Sequence, residues 1–233
     1  MKRVSSILMG LALLVVCSVT PAVYANVILA EELWDAGTVG SPTWGEDQSY
    51  VTTTHSDGSG EGYLDIEYDP SRGAGAAETV VYTDASAFFA GNWQEVSEDG
   101  GWIEFDFWAD ENIPYYFELR FEGTSGDVWR YDLSTAGLGS GWTDFNASLA
   151  WNESLWYYGE FGGSEATFLS DLANIDWIGI YIFDDDTDAN NYGLDNFQLM
   201  VPEPAEYALA FSALAVTWLS IRRKRKKASD QAA

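Results

Sequence analysis

Period-two alternation of apolar and polar residues is the feature that most constrains the fold of this chain. In Trp102–Ala109, the apolar residues Ile103, Phe105 and Phe107 alternate with polar ones, and Tyr115–Glu122 repeats the pattern. Only an extended strand places every second side chain on the same face, because a helix returns to a face after three or four residues. Both segments are therefore predicted to be strands with one buried face and one face towards solvent.

Similar runs, separated by glycine, aspartate and serine, predict further strands. They lie at Tyr50–Thr54, Tyr63–Tyr68, Thr79–Thr83, Val128–Leu133, Trp142–Leu149, Trp177–Phe183 and Tyr192–Val201. Only short helical turns are expected, at Glu165–Leu172 and near Ala85–Phe89. About nine or ten antiparallel strands in a segment of ordinary domain size predict an all-β fold, a two-layer antiparallel β-sandwich.

The first residues of the chain have the pattern of a secretory signal peptide. A basic start precedes the apolar run Ile7–Val19, and small residues lead to a cleavage point after Ala25. Residues 1–25 are therefore expected to be removed by signal peptidase. The alternative is a lipoprotein signal with a modified Cys17, which is disfavoured because it needs a small residue in place of Val16.

The last part of the chain combines an apolar run with a block of basic residues. The run Tyr207–Ile221 would cover about 22 Å as a helix, less than the roughly 30 Å of a bilayer's hydrocarbon core. The basic cluster follows at Arg222, Arg223, Lys224, Arg225, Lys226 and Lys227. Basic residues beside a membrane segment stay in the cytoplasm, so a stop-transfer anchor with a single apolar helix is expected.

A Pro-Glu-Pro tripeptide, a short apolar helix and a basic cluster, in that order, resemble the PEP-CTERM sorting signal. The tripeptide is Pro202, Glu203 and Pro204. In that family an exosortase, a membrane-embedded enzyme similar to cysteine transpeptidases, cleaves near the tripeptide. The resemblance implies export by Sec, transient anchoring in the inner membrane, and release to the cell surface or extracellular matrix of a Gram-negative bacterium. The chain then divides into a signal peptide (1–25), a middle domain (26–200) and a sorting tail (201–233).

The middle domain is strongly acidic. Residues 26–200 contain three arginines, no lysine and 34 of the chain's 37 acidic residues, which leaves a formal charge of −31. Such a surface repels phosphate backbones, so nucleic acid is excluded as a partner. Divalent cations, cationic partners or a high-salt medium are favoured. The only cysteine, Cys17, lies in the signal segment, so neither a disulfide nor thiol chemistry is expected in the domain.

The last two predicted strands resemble the end of jelly-roll domains that are common among proteins with this sorting signal. The resemblance rests on Ile178–Ile182 and Tyr192–Leu199. Those domains are similar to galactose-binding and carbohydrate-binding modules. The resemblance therefore implies a non-enzymatic surface or matrix protein whose sandwich associates with exopolysaccharide.

A cluster of aromatic residues offers a candidate for sugar binding. It contains Trp142, Trp151, Trp156, Tyr157 and Tyr158. These residues lie in a region bounded by glycine and serine that does not alternate cleanly, which is typical of loops. Aromatic rings on a loop surface could stack on sugar rings, whereas packing in the core or at the edge of the sandwich is the alternative.

A run of acidic residues offers a candidate for cation binding. Oxygen-bearing side chains occupy positions 1, 3, 5 and 12 of a loop, the spacing of a hard-cation site. They are Asp184, Asp186, Asp188 and Asp195. Ala189 stands where such loops have glycine, and a solvated acidic turn is the alternative. With bound Ca²⁺, the protein would be a structural matrix component stabilised by divalent cations.

One strand resembles the catalytic strand of sandwich-fold glycosidases of the laminarinase type. Those enzymes place Glu, Asp and Glu at alternate positions, where this chain has Glu104, Asp106 and Trp108, so the proton donor is missing. His55 is the only histidine, and the sequence has no Gly-x-Ser-x-Gly, phosphate-loop or dinucleotide motif. A glycoside hydrolase is therefore the least favoured alternative, and no enzymatic activity is expected.

Overall fold

The computed structural model describes most of the middle domain. The described residues are 26–34, 44–56, 62–69, 77–110, 112–139, 141–158, 162–185 and 190–203. The predicted signal peptide (1–25), Pro204, the apolar segment and its basic cluster lie outside the described residues, as do Asp186 and Asp188 of the predicted cation loop. Within the described ranges, no helix is long and apolar enough to cross a bilayer.

Strands dominate the described residues. They are β1 (Asn26–Glu32), β2 (Trp44–Glu46), β3 (Val51–Ser56), β4 (Tyr63–Tyr68), β5 (Ala77–Asp84), β6 (Trp102–Ala109), β7 (Tyr116–Gly123), β8 (Val128–Asp132), β9 (Thr143–Ser148), β10 (Trp156–Tyr158), β11 (Ile175–Asp184) and β12 (Asn191–Pro202). The helices are α1 (Ala85–Phe88), α2 (Trp93–Glu98) and α3 (Glu165–Leu172). Every predicted strand is present, with its ends within two residues of the prediction, whereas β1, β2 and β10 were not predicted.

The strands form two six-stranded sheets, and four strands in each sheet follow jelly-roll order. Sheet A contains β4-β12-β6-β9, with β3 added beside β4 and β1 beside β12. Sheet B contains β5-β11-β7-β8, with β2 added beside β5 and β10 beside β8. Neighbouring strands are antiparallel throughout these ladders. The two-layer antiparallel sandwich predicted from the sequence is therefore confirmed.

The alternating apolar residues form the core between the sheets. Ile103, Phe105 and Phe107 of β6 are all 0% exposed. Phe107 meets Phe117 of sheet B with ring centroids 4.3 Å apart, and this contact joins the two layers. Burying a phenylalanine side chain contributes about 1.5–3 kcal/mol relative to leaving it exposed, so the aromatic layer is a major source of stability.

Side-chain caps fix the start of each helix. Asp84 caps α1, Asn92 caps α2 and Ser164 caps α3, each by accepting hydrogen bonds from backbone N–H groups of the first turn. Helices α1 and α3 confirm the two predicted helical turns. The prediction was wrong to leave out α2, because its six residues are too few to show a helical period.

Candidate binding face on sheet B

The outer face of sheet B carries aromatic, cationic and acidic side chains on five neighbouring strands, and we call this group the arginine face. It consists of Tyr82 on β5, Glu118, Arg120 and Glu122 on β7, Arg130 and Asp132 on β8, Tyr157 on β10, and Trp177 and Tyr181 on β11. These residues face outward because they alternate along their strands with core residues such as Phe117, Leu119 and Ile180.

The two arginines of this face are direct neighbours. Arg120 on β7 is paired with Arg130 on β8 in the antiparallel register. They are the only lysine or arginine residues among those that the structure describes. Like charges on facing strands repel each other, so this arrangement needs compensation from nearby acids. Positive charge is thus concentrated at one place in an otherwise acidic domain.

Arg120 is held by a carboxylate and an aromatic ring. Its Nε and Nη2 atoms both lie 2.6 Å from Oε2 of Glu118. The guanidinium carbon lies 3.3 Å from the centre of the Tyr181 ring, which adds a cation–π interaction. The Arg120 side chain is only 12% exposed. The guanidinium group therefore has a fixed position, and a ligand would not have to order it.

Arg130 retains an unused donor. Its Nε atom is buried and has no hydrogen-bond partner within the described ranges. A buried donor without an acceptor costs about 1–3 kcal/mol, and more when the group is charged. An oxygen atom of a ligand that reached this position would remove that cost.

Two tyrosines on this face are kept neutral. The hydroxyl of Tyr157 lies 2.7 Å from Oε1 of Glu118 and 2.8 Å from Oδ1 of Asp132. Burial is the largest cause that raises the pKa of Tyr157, and the hydrogen bond to Glu118 is the next. Burial likewise raises the pKa of Tyr181, whose hydroxyl donates to Glu78 at 2.7 Å. Both phenols therefore keep their protons and act as hydrogen-bond donors.

Two further aromatic rings border the arginines. The rings of Tyr82 and Trp177 lie 5.6 Å apart, centroid to centroid, and both residues are half-buried. The indole Nε1 of Trp177 donates to Oε2 of Glu122 at 2.8 Å, which fixes the ring while leaving part of it exposed. Such partly exposed and anchored rings can stack on an apolar surface of a ligand.

Gly179 is the only residue of its row on the arginine face that has no side chain. In the register of three strands it lies between Tyr82 and Arg120. A β-carbon at this position would be 2.2 Å from the carbonyl oxygen of Val81, so no side chain can be accommodated. As a result, no side chain from β11 separates Tyr82 from Arg120.

The structure distributes the predicted aromatic cluster over both sheets. Tyr157 belongs to the arginine face, whereas Trp156 is 1% exposed and lies in the core. Trp151 and Tyr158 are half-buried against the core residue Trp129, with ring centroids 5.7 Å and 5.3 Å away. Trp142 is 46% exposed at the outer face of sheet A. The five residues therefore do not share one surface, because β10, which was not predicted, directs alternate residues inward and outward.

The predicted cation loop is described only in part. Asp184 is 1% exposed in sheet B, and its Oδ2 atom lies 3.3 Å from the hydroxyl of Tyr192. Asp195 lies on the outer face of sheet A, where its Oδ1 atom accepts from the backbone N–H of Asn196. Among the described residues, no three histidine, cysteine or acidic side chains are grouped so as to hold a metal. The calcium site stays a prediction.

The glycosidase-like residues lie on the outer face of sheet A. Glu104, Asp106 and Trp108 all point outward from β6, as their alternation predicts. The indole Nε1 of Trp102 donates to Oε2 of Glu104 at 3.0 Å. His55 lies in β3.

Sequence reasoning did not single out most of the arginine face. The alternation predicts Tyr82, Arg120, Trp177 and Tyr181 only as strand residues. The available signal was the scarcity of arginine, since two of the three arginines of a very acidic domain lie on neighbouring predicted strands. An arginine is a candidate for binding where nearly all other charged residues are acidic.

Comparisons with known proteins support the fold. No protein-family model matches the chain, and no curated protein matches it. An exo-β-agarase structure is 12% identical and has a TM-score of 0.52, with 75% of this chain and 25% of the agarase covered. A second agarase is 17% identical with a TM-score of 0.51, covering 76% of this chain and 26% of the agarase. About three quarters of this chain thus share a fold with about a quarter of each agarase.

A carbohydrate-binding module is also similar. The family 11 module of a cellulosomal cellulase of Clostridium thermocellum is 18% identical with a TM-score of 0.44, and the match covers 76% of this chain and 98% of the module.

Proposed function

We propose that this protein is a non-enzymatic, exported surface or matrix protein whose sandwich binds polysaccharide through the arginine face. The observation that carries the proposal is the combination, on one sheet face, of anchored aromatic rings with arginines and carboxylates. Sugar rings present apolar C–H surfaces together with hydroxyls that both donate and accept hydrogen bonds. Rings, guanidinium donors and carboxylate acceptors are the groups that match this chemistry.

An extended ligand fits this face better than a single sugar. Tyr157 on β10 and Tyr82 on β5 are separated by four strand spacings of about 4.8 Å, or roughly 19 Å. Between them lie Arg130, Arg120 and Gly179. A chain of several sugar units that crosses the strands could contact all of these positions.

The net charge indicates which polysaccharides to expect. A formal charge of −31 over residues 26–200 repels polyanions at long range. The carboxylates Glu118, Glu122 and Asp132 further favour ligands that offer hydroxyl donors. A neutral polysaccharide is therefore the proposed ligand class. Two of the structurally similar proteins are named as agarases.

Export and sorting belong to the same proposal. Signal peptidase would cleave after Ala25, and an exosortase would act near Pro202, Glu203 and Pro204 after transient anchoring in the inner membrane. The basis for this part is the sequence pattern at both ends of the chain. A location at the surface or in the matrix would bring the domain to exopolysaccharide.

Affinity electrophoresis of the full chain tests the binding proposal. Gels would contain mixed-linkage β-glucan, xylan or agarose as neutral polysaccharides, or alginate as an anionic one. We expect retention by a neutral polysaccharide and none by alginate. Trp177→Ala and Arg130→Gln should weaken binding about ten-fold, as expected when an anchor residue at the centre of a binding surface is removed.

A matched control distinguishes binding at the arginine face from nonspecific binding by exposed aromatic residues. Tyr115→Ala removes an aromatic residue that is 60% exposed and is not part of the arginine face, so it should bind like wild type. Circular dichroism would establish that each variant is folded. Lack of retention in every neutral gel, or equal retention of wild type and both arginine-face variants, would contradict the proposal.

A further inference from the structure

The outer face of sheet A carries three aromatic side chains around a glycine, and we call this group the tryptophan platform. It consists of Tyr63 on β4, Trp108 on β6, Trp142 just before β9, and Gly193 on β12. Gly193 is paired with Trp108 across the β6–β12 ladder. A β-carbon at Gly193 would lie 2.7 Å from Cη2 of Trp142 and 3.2 Å from Cδ2 of Tyr63, so both rings rest on the glycine.

Trp142 is fixed in place and still exposed. Its ring centroid lies 5.4 Å from that of Tyr63, at an interplanar angle of 73°. It lies 6.5 Å from that of Trp108, at 41°. The side chain is nevertheless 46% exposed, more than any other described tryptophan. The glycine below and the rings beside it therefore hold a flat apolar surface towards solvent.

A row of polar side chains lies next to the platform. Asp195, Asp106 and Asp144 face one another across β12, β6 and β9. This row is two residues along β12 from Gly193, or about 7 Å. Asp144 and Asn146 of β9 are exposed, so they are available to a ligand. If one sugar ring stacks on Trp142, the next sugar of the same glycan could reach the carboxylate oxygens of the row and the amide of Asn146.

A β-bulge directs an amide into the same row. The register of β12 shifts between Asp195 and Gln198, and Asn196 has a φ of 51°. Its Nδ2 atom donates to Oδ2 of Asp106 at 2.6 Å. Positive φ costs free energy for a residue other than glycine, although asparagine tolerates it best. Bulges of this kind re-aim side chains and are frequent beside binding sites.

We propose that the tryptophan platform and its polar row form a second carbohydrate site, which takes a neutral glycan chain. Both described arginines lie on the arginine face, so carboxylates dominate the outer face of sheet A and would repel an anionic glycan. A cationic peptide is the rival ligand. The exposed ring of Trp142 can stack on the C–H surface of a sugar, and the amide and carboxyl groups beside it can bind the sugar's hydroxyls. This combination favours a glycan over a peptide.

The second site would make the domain bivalent. The two sites lie on opposite faces of the sandwich, whose sheets pack about 10 Å apart. One domain could therefore hold two glycan chains and link them. The second site shares no residue with the arginine face, so a substitution can abolish binding at one site and leave the other intact.

Isothermal titration of the full chain tests this proposal. Hexasaccharides of mixed-linkage β-glucan, xylan and agarose would be the probes, and the number of bound molecules per chain is the readout. We expect two for wild type, one for Trp142→Ala, one for Trp177→Ala and none for the double variant, with loss defined as binding weakened about ten-fold or more. Tyr115→Ala is the matched control and should keep both sites.

A second variant and a measurement at high salt complete the test of the tryptophan platform. If Trp142→Ala does not fold, the exposed Asp144→Ala should weaken the same site. Binding to the platform should persist in about 0.5 M NaCl, since salt screens only charge interactions. Wild-type stoichiometry in Trp142→Ala would overturn the second site, and so would capture of oligolysine that depends on Trp142 and disappears in salt. If Trp142→Ala loses binding and Trp177→Ala does not, the result would support the platform and overturn the binding site at the arginine face. If wild type binds none of the probes, both sites would be overturned.

Discussion

Asp106 illustrates at the scale of one residue how a sheet position changes the chemistry of a carboxyl group. Burial is the largest cause that raises the pKa of Asp106; the hydrogen bond from Asn196 lowers it, and the carboxyl of Asp144 raises it again. The folded state therefore binds this proton more tightly than the unfolded chain, whose reference value is 3.8. Stability then falls as the pH rises through the interval between the two pKa values. The ionised Asp106 consequently destabilises the fold at neutral pH.

We expect Asp106→Asn to raise the free energy of unfolding at pH 7 by less than about 1 kcal/mol, because solvent screens this half-exposed group. The asparagine keeps an oxygen for the amide of Asn196 and gains a donor towards Asp144. The gain should disappear below pH 3.8, where the unfolded chain is protonated as well. Urea denaturation at several pH values measures it. Asp110→Asn controls for the removal of one negative charge, and an equal gain in both variants would contradict a local cause.

At the scale of elements, the β5–β11 ladder depends on a residue without a side chain. A β-carbon at Gly179 would meet the backbone carbonyl of Val81 at 2.2 Å, and backbone cannot rotate away as a side chain can. We expect Gly179→Ala to lower the free energy of unfolding by about 1–3 kcal/mol, the usual cost of overpacking. Gly45→Ala in β2 is the matched control, because nothing lies within 4 Å of its β-carbon. Equal midpoints in urea denaturation would refute the close approach of the two strands.

The elements also show which parts of the fold the sequence could predict. Long strands with one buried face, such as β6 and β7, were predicted because eight residues show a clear alternation. The strands β2 and β10 have three residues each, too few to show a period. In β1, the exposed apolar run Val27, Ile28 and Leu29 does not alternate, and it follows the predicted signal peptide directly. Its pairing with β12 depends on contacts between the two ends of the domain.

The candidate site was less predictable than the fold. Alternation determines that Arg120 and Tyr181 point outward, but only the strand order places β7 beside β11. The register then brings Glu118 opposite Tyr181 and places Arg120 against the ring. Strand order and register depend on long-range contacts, which no local pattern in the sequence encodes.

For the whole molecule, the pairing of β1 with β12 connects the domain to its proposed processing. Asn26, the first residue after the predicted signal cleavage, is paired with Pro202, the first residue of the Pro-Glu-Pro motif. The ladder continues from there to the pair Glu32 and Phe197. Cleavage after Ala25 and cleavage within or just beyond the motif would thus leave nearly the whole ladder intact. The processed domain would therefore keep β1 paired with β12 in sheet A.

This geometry makes the proposed processing measurable. We expect the exported protein to begin at Asn26 and to end near Pro204, as found by intact-mass spectrometry of surface and medium fractions. Replacing the Pro-Glu-Pro tripeptide by alanines should leave the tail attached and the protein in the membrane fraction. Glu206→Ala, outside the tripeptide, should be processed like wild type. An intact polypeptide in the cytosol would contradict export, whereas a processed protein with no polysaccharide affinity would retain the export proposal and remove the binding one.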